Sequence, residues 1–305
     1  MEEKNNISVI VPTLNAKHVI ENLAKSLKKQ SLYPFEILVI DSSSDDNTVE
    51  LAKKNGFYVH VIKREEFNHG GTRRLGAHLA KGDILVYITQ DVVLEKADTI
   101  ETLINEFNDP SIACSYGRQI AKDNTDPIEM FTRNFNYPEK SAIKSKDLIR
   151  RMGIKTVFCS NSFGAYRKFV LLDVGNFPEN IIFGEDMYVA GKIILAGYKV
   201  AYVAEACVYH SHNNTLIQEF KRNFDIGVFH TREKWLLENF SFTNKEGYKF
   251  VFSLFKYSSI KRPFWFIKAV LYVFCRFIAY NLGRREKIIP ICLKKKLCMS
   301  KYYWN

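Results

Sequence analysis

At 305 residues the chain can bury one large core or two modest ones, and 47% hydrophobic with 25% charged residues excludes a disordered chain as the default. The net charge of +11 is unevenly spread: residues 1–215 hold 26 Lys/Arg against 27 Asp/Glu, and residues 216–305 hold 18 against 6. The basic excess belongs to the C-terminal third and points there to a polyanionic surface, membrane or nucleic acid.

Residues 7–12, ISVIVP, form a short β-rich run that ends in Pro12-Thr13-Leu14-Asn15. Val19, Leu23 and Leu27 then recur at helical spacing. A second strand, Glu36 to Ile40, ends at Asp41-Ser42-Ser43-Ser44-Asp45-Asp46, with a helix from about Thr48. A third run spans Tyr58 to Ile62. A polar turn, Phe67 to Thr72, leads into a basic helical segment, Arg73 to Lys81. Gly82 and Asp83 launch the apolar run Ile84 to Ile88, which stops at Thr89-Gln90-Asp91. This alternation of strand and helix predicts a parallel α/β sheet with right-handed crossovers, whose ligands sit at the strands' carboxyl ends. No GxGxxG follows the first strand and no GxxxxGK[ST] occurs, which argues against a dinucleotide-binding dehydrogenase and a P-loop NTPase. Residues 11–18 also lack the Gly-rich triphosphate loop of a nucleotidyltransferase.

Instead, polar tips stand at neighbouring strand ends: Thr13 and Asn15, Asp41, and Asp91. Together they can surround one nucleotide. The Asp41 carboxylate suits the ring N–H of a uracil or thymine; it equally suits an N-capping cluster for the helix at Thr48. Both readings stay open at this point.

Beyond Leu94, residues 97–107 read as a helix and Ile112 to Tyr116 as a strand. Residues 118–155 lack a clear period and read as a loop over a substrate cleft or a surface excursion. Phe158 to Arg167 is strand-like. Gly184-Glu185-Asp186 opens a helix, Met187 to Leu195, that closes at Gly197. Val200 to Val203 and Ala206 to Tyr209 lead into His210-Ser211-His212. Singly, each landmark has an ordinary explanation as a helix cap, a polar strand edge or a plain turn.

Residues 263–282 are dense in aromatics, with Lys268, Tyr272 and Arg276 four apart. That spacing puts a polar stripe on one side of a helix and a broad apolar face on the other. Basic flanks follow at Arg284, Arg285 and Lys294 to Lys296. The pattern fits an interfacial helix on anionic lipid, or a core-packed helix whose basic stripe lies in solvent. No stacking platform or groove-reading helix accompanies the charge, so no nucleic-acid partner is expected. The six cysteines show no CxxC pair or zinc spacing, as expected of free thiols in a reducing compartment. The acidic N-terminus resembles no signal peptide, and no stretch of 18 uncharged apolar residues occurs. A cytoplasmic location, with peripheral contact to the inner face of the cell membrane, is the expectation.

Six landmarks in order, VPTLN (11–15), IDSSSDDNT (40–48), FNHGGTR (67–73), TQD (89–91), GED (184–186) and YHSH (209–212), make the chain resemble the family 2 glycosyltransferases of the GT-A fold. Within them it resembles the bacterial rhamnosyltransferases that build O-antigen or rhamnan-type polysaccharides. The tail, YNLGRR (280–285) through SKYYWN (300–305), extends the likeness over nearly the whole chain. The resemblance implies a catalytic domain over 1–215, with a nucleotide-sugar half (1–95) and an acceptor half (96–215), and a helical, basic, aromatic-rich extension over 216–305.

It also implies roles. Pro12, Thr13, Asn15, Asp41, Ser43, His69, Gly70, Arg73, Gln90 and Asp91 would bind the nucleotide sugar, with Thr13, Asn15 and Asp41 at the nucleoside and Arg73 near the diphosphate. Asp186 would be the catalytic base, with Glu185 beside it, and Asn161 would contact the acceptor. Asp91, His210 and His212 would hold a divalent metal, Mg²⁺ or Mn²⁺. The family's Asp-x-Asp stands here as Thr89-Gln90-Asp91, so one carboxylate of that motif remains. Arg74 stands where the subgroup usually has Asn. The implied reaction moves L-rhamnose from dTDP-β-L-rhamnose, with inversion, to a hydroxyl of a growing glycan or an undecaprenyl-diphosphate-linked acceptor. A UDP-hexose donor on the same fold, and a catalytically silent membrane-docked scaffold, are the competing readings.

The chemistry explains the residue types. An inverting transfer needs a carboxylate within about 3 Å of the attacking hydroxyl. It also needs positive charge beside the departing diphosphate, which a divalent cation supplies. A helix N-terminus favours the ionised form of Asp186. A His among oxygen ligands tilts the choice slightly toward Mn²⁺.

Overall fold

The computed structural model describes residues 6–32, 34, 36–123, 125–240, 245–261 and 263–304. The acidic first residues and Asn305 of the tail, both used in reading the sequence, lie outside the described residues. The first half alternates as expected: β1 (Ile7–Thr13), α1 (Ile20–Lys28), β2 (Glu36–Asp41), α2 (Thr48–Lys54), β3 (Tyr58–Val61), α3 (His69–Leu79), β4 (Ile84–Ile88). Then follow β5 (Val93–Leu94), α4 (Thr99–Ile104), β6 (Ile112–Ile120), α5 (Pro127–Asn136), β7 (Ala142–Lys144) and α6 (Ile149–Met152). β8 (Phe163–Arg167), α7 (Lys168–Asp173), α8 (Glu185–Leu195) and β9 (Lys199–Tyr209) complete the sheet region.

The nine strands described form one sheet in the order β3-β2-β1-β4-β8-β6-β9-β5, with β7 paired to β9. β3, β2, β1 and β4 are mutually parallel, and β6 is parallel to β9. The sheet is mixed rather than wholly parallel, because β8 runs antiparallel between β4 and β6. Strand side chains alternate between two cores: Ile10, Leu38, Ile40, Leu85 and Tyr87 enter one, while Val9, Val11, Ile37, Val39, Val86 and Ile88 enter the other. Both faces are covered, which is why these strands read as unbroken apolar runs. Ile20, Leu23, Ala24 and Leu27 bury one stripe of α1 against the sheet.

This topology decides where the chemistry sits. The carboxyl ends of β1, β2, β4, β6 and β9 share one edge. Because β8 is reversed, with Phe163 opposite Ile88, the turn before it (Ser160 to Ser162) reaches that same edge. β5 pairs antiparallel with the end of β9, Val93 opposite Tyr209. Continuing that register sets Asp91 against the His210–His212 segment.

Three readings of the sequence change. Phe67 to Thr72 is no free turn: α3 starts at His69, and Asn68 caps it by accepting from the Gly71 N–H at 2.5 Å. Only Phe163–Arg167 of the strand-like stretch pairs in the sheet. Residues 118–155, expected to be a loop, contain α5, β7 and α6. The Asp126-Pro127 start of α5 carries a helix signature, an Asp cap bonded to Ile128 N at 2.8 Å and Pro at the first turn. Its apolar residues pack on other helices rather than on the sheet, so no sheet-facing period shows in the sequence.

The C-terminal part is helical: α9 (Leu216–Arg232), α10 (Lys234–Phe240), α11 (Lys245–Lys261), α12 (Phe266–Arg284) and α13 (Ile291–Leu297). Phe224, Val228, Phe229, Leu236 and Phe240 join the same core as Tyr87 and Tyr166. Asp225 accepts from the Met299 and Ser300 N–H groups, which returns the tail to the sheet edge. There Tyr302 packs edge-on against Phe67 and His69.

The Lys268–Tyr272–Arg276 stripe faces the protein, contrary to both expectations. Lys268 pairs with Asp126, Tyr272 is buried, and Arg276 Nε donates to Asn223 at 3.2 Å. The apolar face points outward: Phe264 is 98% exposed, Ile267 74%, Leu271 51% and Phe274 62%. By length and composition, Pro263–Arg284 could cross a bilayer. Lys294 is also not free for lipid, because it is buried against Glu286 at 2.5 Å and under the Trp304 ring.

Candidate active site

A cavity of about 280 Å³ opens at the sheet edge. His69, Arg73, Asp91, Asn161, Glu185, Asp186, His210 and His212 all line it. They come from five separate segments of the chain, and the topology above is what gathers them.

Asp91, His210 and His212 offer ligand atoms that lie within 4.8 Å of one another. Asp91 Oδ2 stands 3.5 Å from His210 Nε2 and 3.6 Å from His212 Nε2, and the two Nε2 atoms are 3.0 Å apart. His210 Nδ1 contacts Gln119 Oε1 at 2.9 Å. That contact fixes the His210 proton on Nδ1 and turns the Nε2 lone pair toward Asp91. Gln119 is held in turn by Arg133 and by Ser160 Oγ at 2.8 Å. Burial pushes both imidazoles below their usual range, His212 to about 4, so both are neutral at pH 7. Burial works against the Asp91 carboxylate, but the His210 and His212 rings beside it outweigh this and hold it below the carboxylate range. One carboxylate and two neutral imidazoles converging on one point fit a divalent transition-type cation. Thr89 Oγ1 lines the same cavity, buried and without a hydrogen-bond partner among the described residues.

The acidic pair opposite is asymmetric. Gly184 caps α8 at φ +73°, and a Cβ there would lie 2.8 Å from the Phe229 ring, so only glycine fits this turn. It presents Glu185 and Asp186 side by side. Glu185 is buried; burial opposes its charge, but Arg73 Nη1 at 3.3 Å and an Asn161 amide bond at 3.3 Å keep it ionised below its usual range. Among the described residues, Asp186 has no side-chain partner of this kind. Burial first, then the Glu185 charge, pushes it up to about 7. Its carboxylate accepts from Met187 N at 2.8 Å and Asn161 N at 3.3 Å. A carboxyl half-ionised near neutrality suits proton transfer; one locked to an arginine does not.

The other predicted residues form a neighbouring knot at the tips of β1 and β2. Asp41 is fully buried, and its carboxylate accepts from Thr13 Oγ1 at 2.8 Å, Ser44 N at 2.8 Å and Ser44 Oγ at 2.6 Å. No part of Asp41 is open to solvent in this arrangement. Asn15 and Ser43 adopt left-handed backbone, φ +50° and +56°. Asn15 Oδ1 accepts from Asp45 N, and Ser43 Oγ donates to Ile62 O. Pro12 is half-buried within β1. Gln90 grips both backbone groups of Leu14, which ties this knot to the turn between β4 and β5 that bears Asp91. Gly70 packs where a Cβ would stand 1.8 Å from the Pro178 carbonyl oxygen, so α3 approaches that loop as only glycine allows. Arg74 donates to Gly175 and Phe177 carbonyls and pairs with Glu179, away from the cavity.

Gln119, Arg133 and Arg222 also line the site but were not found from sequence. Gln119 ends a strand read as stopping at Tyr116, and Arg133 lies in the stretch read as a loop. The Glu129–Arg133 spacing of four was the one available signal.

Residues 8–175 match glycosyl transferase family 2. The chain is 44% identical over 301 residues, 98% of its length and 96% of the relative's, to the O-antigen chain rhamnosyltransferase RfbN of Salmonella typhimurium. It is 42% identical over 302 residues, with the same coverage, to the O-antigen chain rhamnosyltransferase WbaN of Salmonella anatum. Among solved structures, a mannosyltransferase from Pyrobaculum calidifontis, in complex with GDP-Man and Mn²⁺, superposes with a TM-score of 0.63 at 15% identity, covering 91% of this chain and 87% of its own. At that identity the likeness is one of fold, here GT-A. The chain belongs to glycosyl transferase family 2.

Proposed function

We propose that this enzyme transfers L-rhamnose from dTDP-β-L-rhamnose, with inversion, to a hydroxyl of a growing cell-surface polysaccharide or lipid-linked oligosaccharide. The observation that carries the reading is one cavity that joins a carboxyl titrating near 7, Asp186, to the Asp91–His210–His212 ligand set. Its 44% identity to an O-antigen rhamnosyltransferase supports the choice of sugar.

Ionised Asp186 takes the proton of the acceptor hydroxyl as that oxygen bonds to the anomeric carbon. On the opposite face the bond from that carbon to the diphosphate breaks, and its electrons leave with the diphosphate. Glu185, locked to Arg73, acts through Asp186 by keeping its pKa high. Asn161 orients both carboxyl groups. Asp91, His210 and His212 would hold a divalent cation, Mg²⁺ or Mn²⁺, which when bound neutralises charge on the departing diphosphate. The nucleoside would lie toward the β1 and β2 tips, where Gln90 sets the distance from Leu14 to Asp91.

The outward apolar face of α12, flanked by exposed Arg284, Arg285 and Lys287, supports work at the anionic cytoplasmic membrane surface, beside a lipid-linked acceptor. The test is to incubate the purified protein with Mn²⁺, acceptor-bearing membranes and each nucleotide sugar in turn. Release of dTDP from dTDP-rhamnose is expected. Release of UDP but never dTDP overturns the donor, and unimpaired polysaccharide assembly by Asp91→Ala and Asp186→Ala proteins overturns the enzymatic reading in favour of a scaffold.

A further inference from the structure

Tyr302, Tyr303 and Trp304 stand in a row on a short 3₁₀ turn, Lys301–Trp304, beyond the residues matched to the family. Three residues per turn set neighbouring side chains about 120° apart, so the three rings cannot share one face. They go to different neighbours. Tyr303 and Trp304 meet edge-on at 5.0 Å, and Trp304 lies over the Lys294 ammonium at 4.6 Å. Tyr302 turns to the start of α3, where it meets Phe67 at 5.9 Å and His69 at 6.2 Å, both edge-on. Phe67 and His69 in turn meet at 5.2 Å, so the three rings form a closed trio. We infer that Tyr302 is a positioning residue for the donor: the tail seals the first turn of α3 and holds His69, and through it Arg73, in place at the cavity. The inference rests on the transferase reading above, in which the nucleotide sugar occupies the cavity that His69 and Arg73 line.

The tail is anchored away from the cavity. Asp225 on α9 accepts from Met299 N at 3.1 Å and Ser300 N at 3.0 Å, and Cys298 is fully buried. None of these anchors lines the cavity. His69 does, and it holds Arg73 twice over: Arg73 Nη1 donates to the His69 carbonyl at 3.0 Å and lies 3.4 Å from His69 Nδ1. The same Nη1 stands 3.3 Å from Glu185 Oε1, while Arg73 Nε is buried with no hydrogen-bond partner among the described residues. A guanidinium is a rigid fork, so fixing one nitrogen sets the direction of the others. The carbonyl that fixes it belongs to the first turn of α3, whose backbone is held by the Asn68 cap and by the close approach of Gly70 to Pro178. Tyr302 adds a hold on the His69 side chain itself.

Without the Tyr302 ring, Phe67 and His69 each lose an edge-on partner, and the turn that aims Arg73 is less firmly fixed. Loss of one such ring pair corresponds to about a two- to tenfold change in the equilibrium it supports. The effect falls on donor binding rather than on proton transfer, because Asp186 takes its contacts from Met187 N and Asn161 N, on other elements.

The test compares Tyr302→Ala, the milder Tyr302→Leu, Tyr302→Phe and Trp304→Ala in the full chain, with circular dichroism melts to check that each folds. Tyr302→Phe keeps the ring; Trp304→Ala loosens the tail without taking a ring from His69. Initial rates are measured with Mn²⁺, acceptor-bearing membranes and whichever of dTDP-rhamnose and a UDP-hexose the wild-type protein turns over. Separately, modification of His69 by diethyl pyrocarbonate, read by peptide mass, reports how well that ring is covered. Burial holds this imidazole below its usual range, so it is neutral and reactive once uncovered. In Tyr302→Ala and Tyr302→Leu, the donor KM and the His69 modification rate should each rise about two- to tenfold, with kcat within about twofold of wild type. Tyr302→Phe should restore both values, and Trp304→Ala should leave both unchanged. The inference is overturned if the folded Ala and Leu variants leave either value at the wild-type level, if Tyr302→Phe behaves as they do, or if Trp304→Ala raises the donor KM as much. A wild-type protein that turns over neither nucleotide sugar, with His69 modification still raised by loss of the Tyr302 ring alone, would instead overturn the proposed function and leave the hold of Tyr302 on His69 standing.

Discussion

Replacing Asp186 with Asn tests the base and its surroundings together. Burial and the Glu185 charge raise this carboxyl from 3.8 to about 7. That is about three pKa units, each equal to about 1.4 kcal/mol. In the folded protein the proton is held to higher pH than in the unfolded chain. The contribution of this group to stability is therefore intact below pH 4 and is lost as pH rises through 7. The loss is at most about 4 kcal/mol, and about 2 kcal/mol once contact with cavity water is allowed for. Asn cannot ionise, so Asp186→Asn should melt higher than wild type at pH 8 and close to it at pH 4. A gain of about 2–4 kcal/mol corresponds to several degrees in a chain of this size. The same substitution should cut the transfer rate about 10²–10⁴-fold. The wild-type rate should fall about tenfold from pH 8 to pH 6, as the ionised fraction of a group with pKa near 7 does. Melting curves and initial rates at the three pH values decide. A variant equally stabilised at pH 4 and pH 8, or a wild-type rate flat down to pH 6, would refute the reasoning.

Glu185→Gln removes the charge that raises Asp186 and leaves Arg73 unpaired beside it. Both effects favour the ionised base, so the acidic limb of the pH–rate profile should move to lower pH; a limb that moves up contradicts the assigned roles. Gln119→Leu leaves the His210 Nδ1–H without its acceptor, and Mn²⁺ affinity by calorimetry should fall about 10–100-fold. Gly70→Ala forces a methyl to within 1.8 Å of the Pro178 carbonyl oxygen. It should lower the melting temperature far more than Ala at exposed Gly247, where nothing lies within 4 Å. Leu271→Glu with Phe274→Glu, at 51% and 62% exposed positions, should abolish co-flotation with phosphatidylglycerol vesicles and leave the melting temperature unchanged.

β1, β2 and β4 were legible because each is buried on both faces, so their apolar runs end abruptly where the sheet ends, whereas β3 lies largely exposed at the sheet's edge. Asp41 and His210 stood out as the first polar groups past such runs, and Asp91 closes the polar tripeptide Thr89-Gln90-Asp91 that follows β4. Their convergence was not legible from local pattern. It depends on β8 running backwards and on β5 pairing with the end of β9, both contacts between residues far apart in sequence. Gln119 and Arg133 escaped notice because their work is done across that same pairing. The division of labour between Glu185 and Asp186 was equally hidden. Adjacent acids look alike in sequence, and only the approach of Arg73 from α3 makes one a fixed charge and the other a titrating one.

α12 shows why helical periodicity alone could not settle the C-terminal region. Periodicity finds two faces; it does not say which one turns inward. The usual default, apolar side in, assumes that the surface to be covered is itself apolar. Here the surface beneath α12 is polar, with Asp126 and Glu129 on α5 and Glu219 and Asn223 on α9. Lys268 pairs with Asp126 and Arg276 donates to Asn223, whereas leucines there would take these partners from both groups at about 1–3 kcal/mol each. The apolar residues Phe264, Ile267, Leu271 and Phe274 are then left outside. The inverted helix follows from the polar surface beneath it, and the outward apolar surface follows from the inverted helix. A variant that neutralised Glu129 and Glu219 together would therefore be expected to loosen α12 from the domain before it changed anything at the outer apolar face.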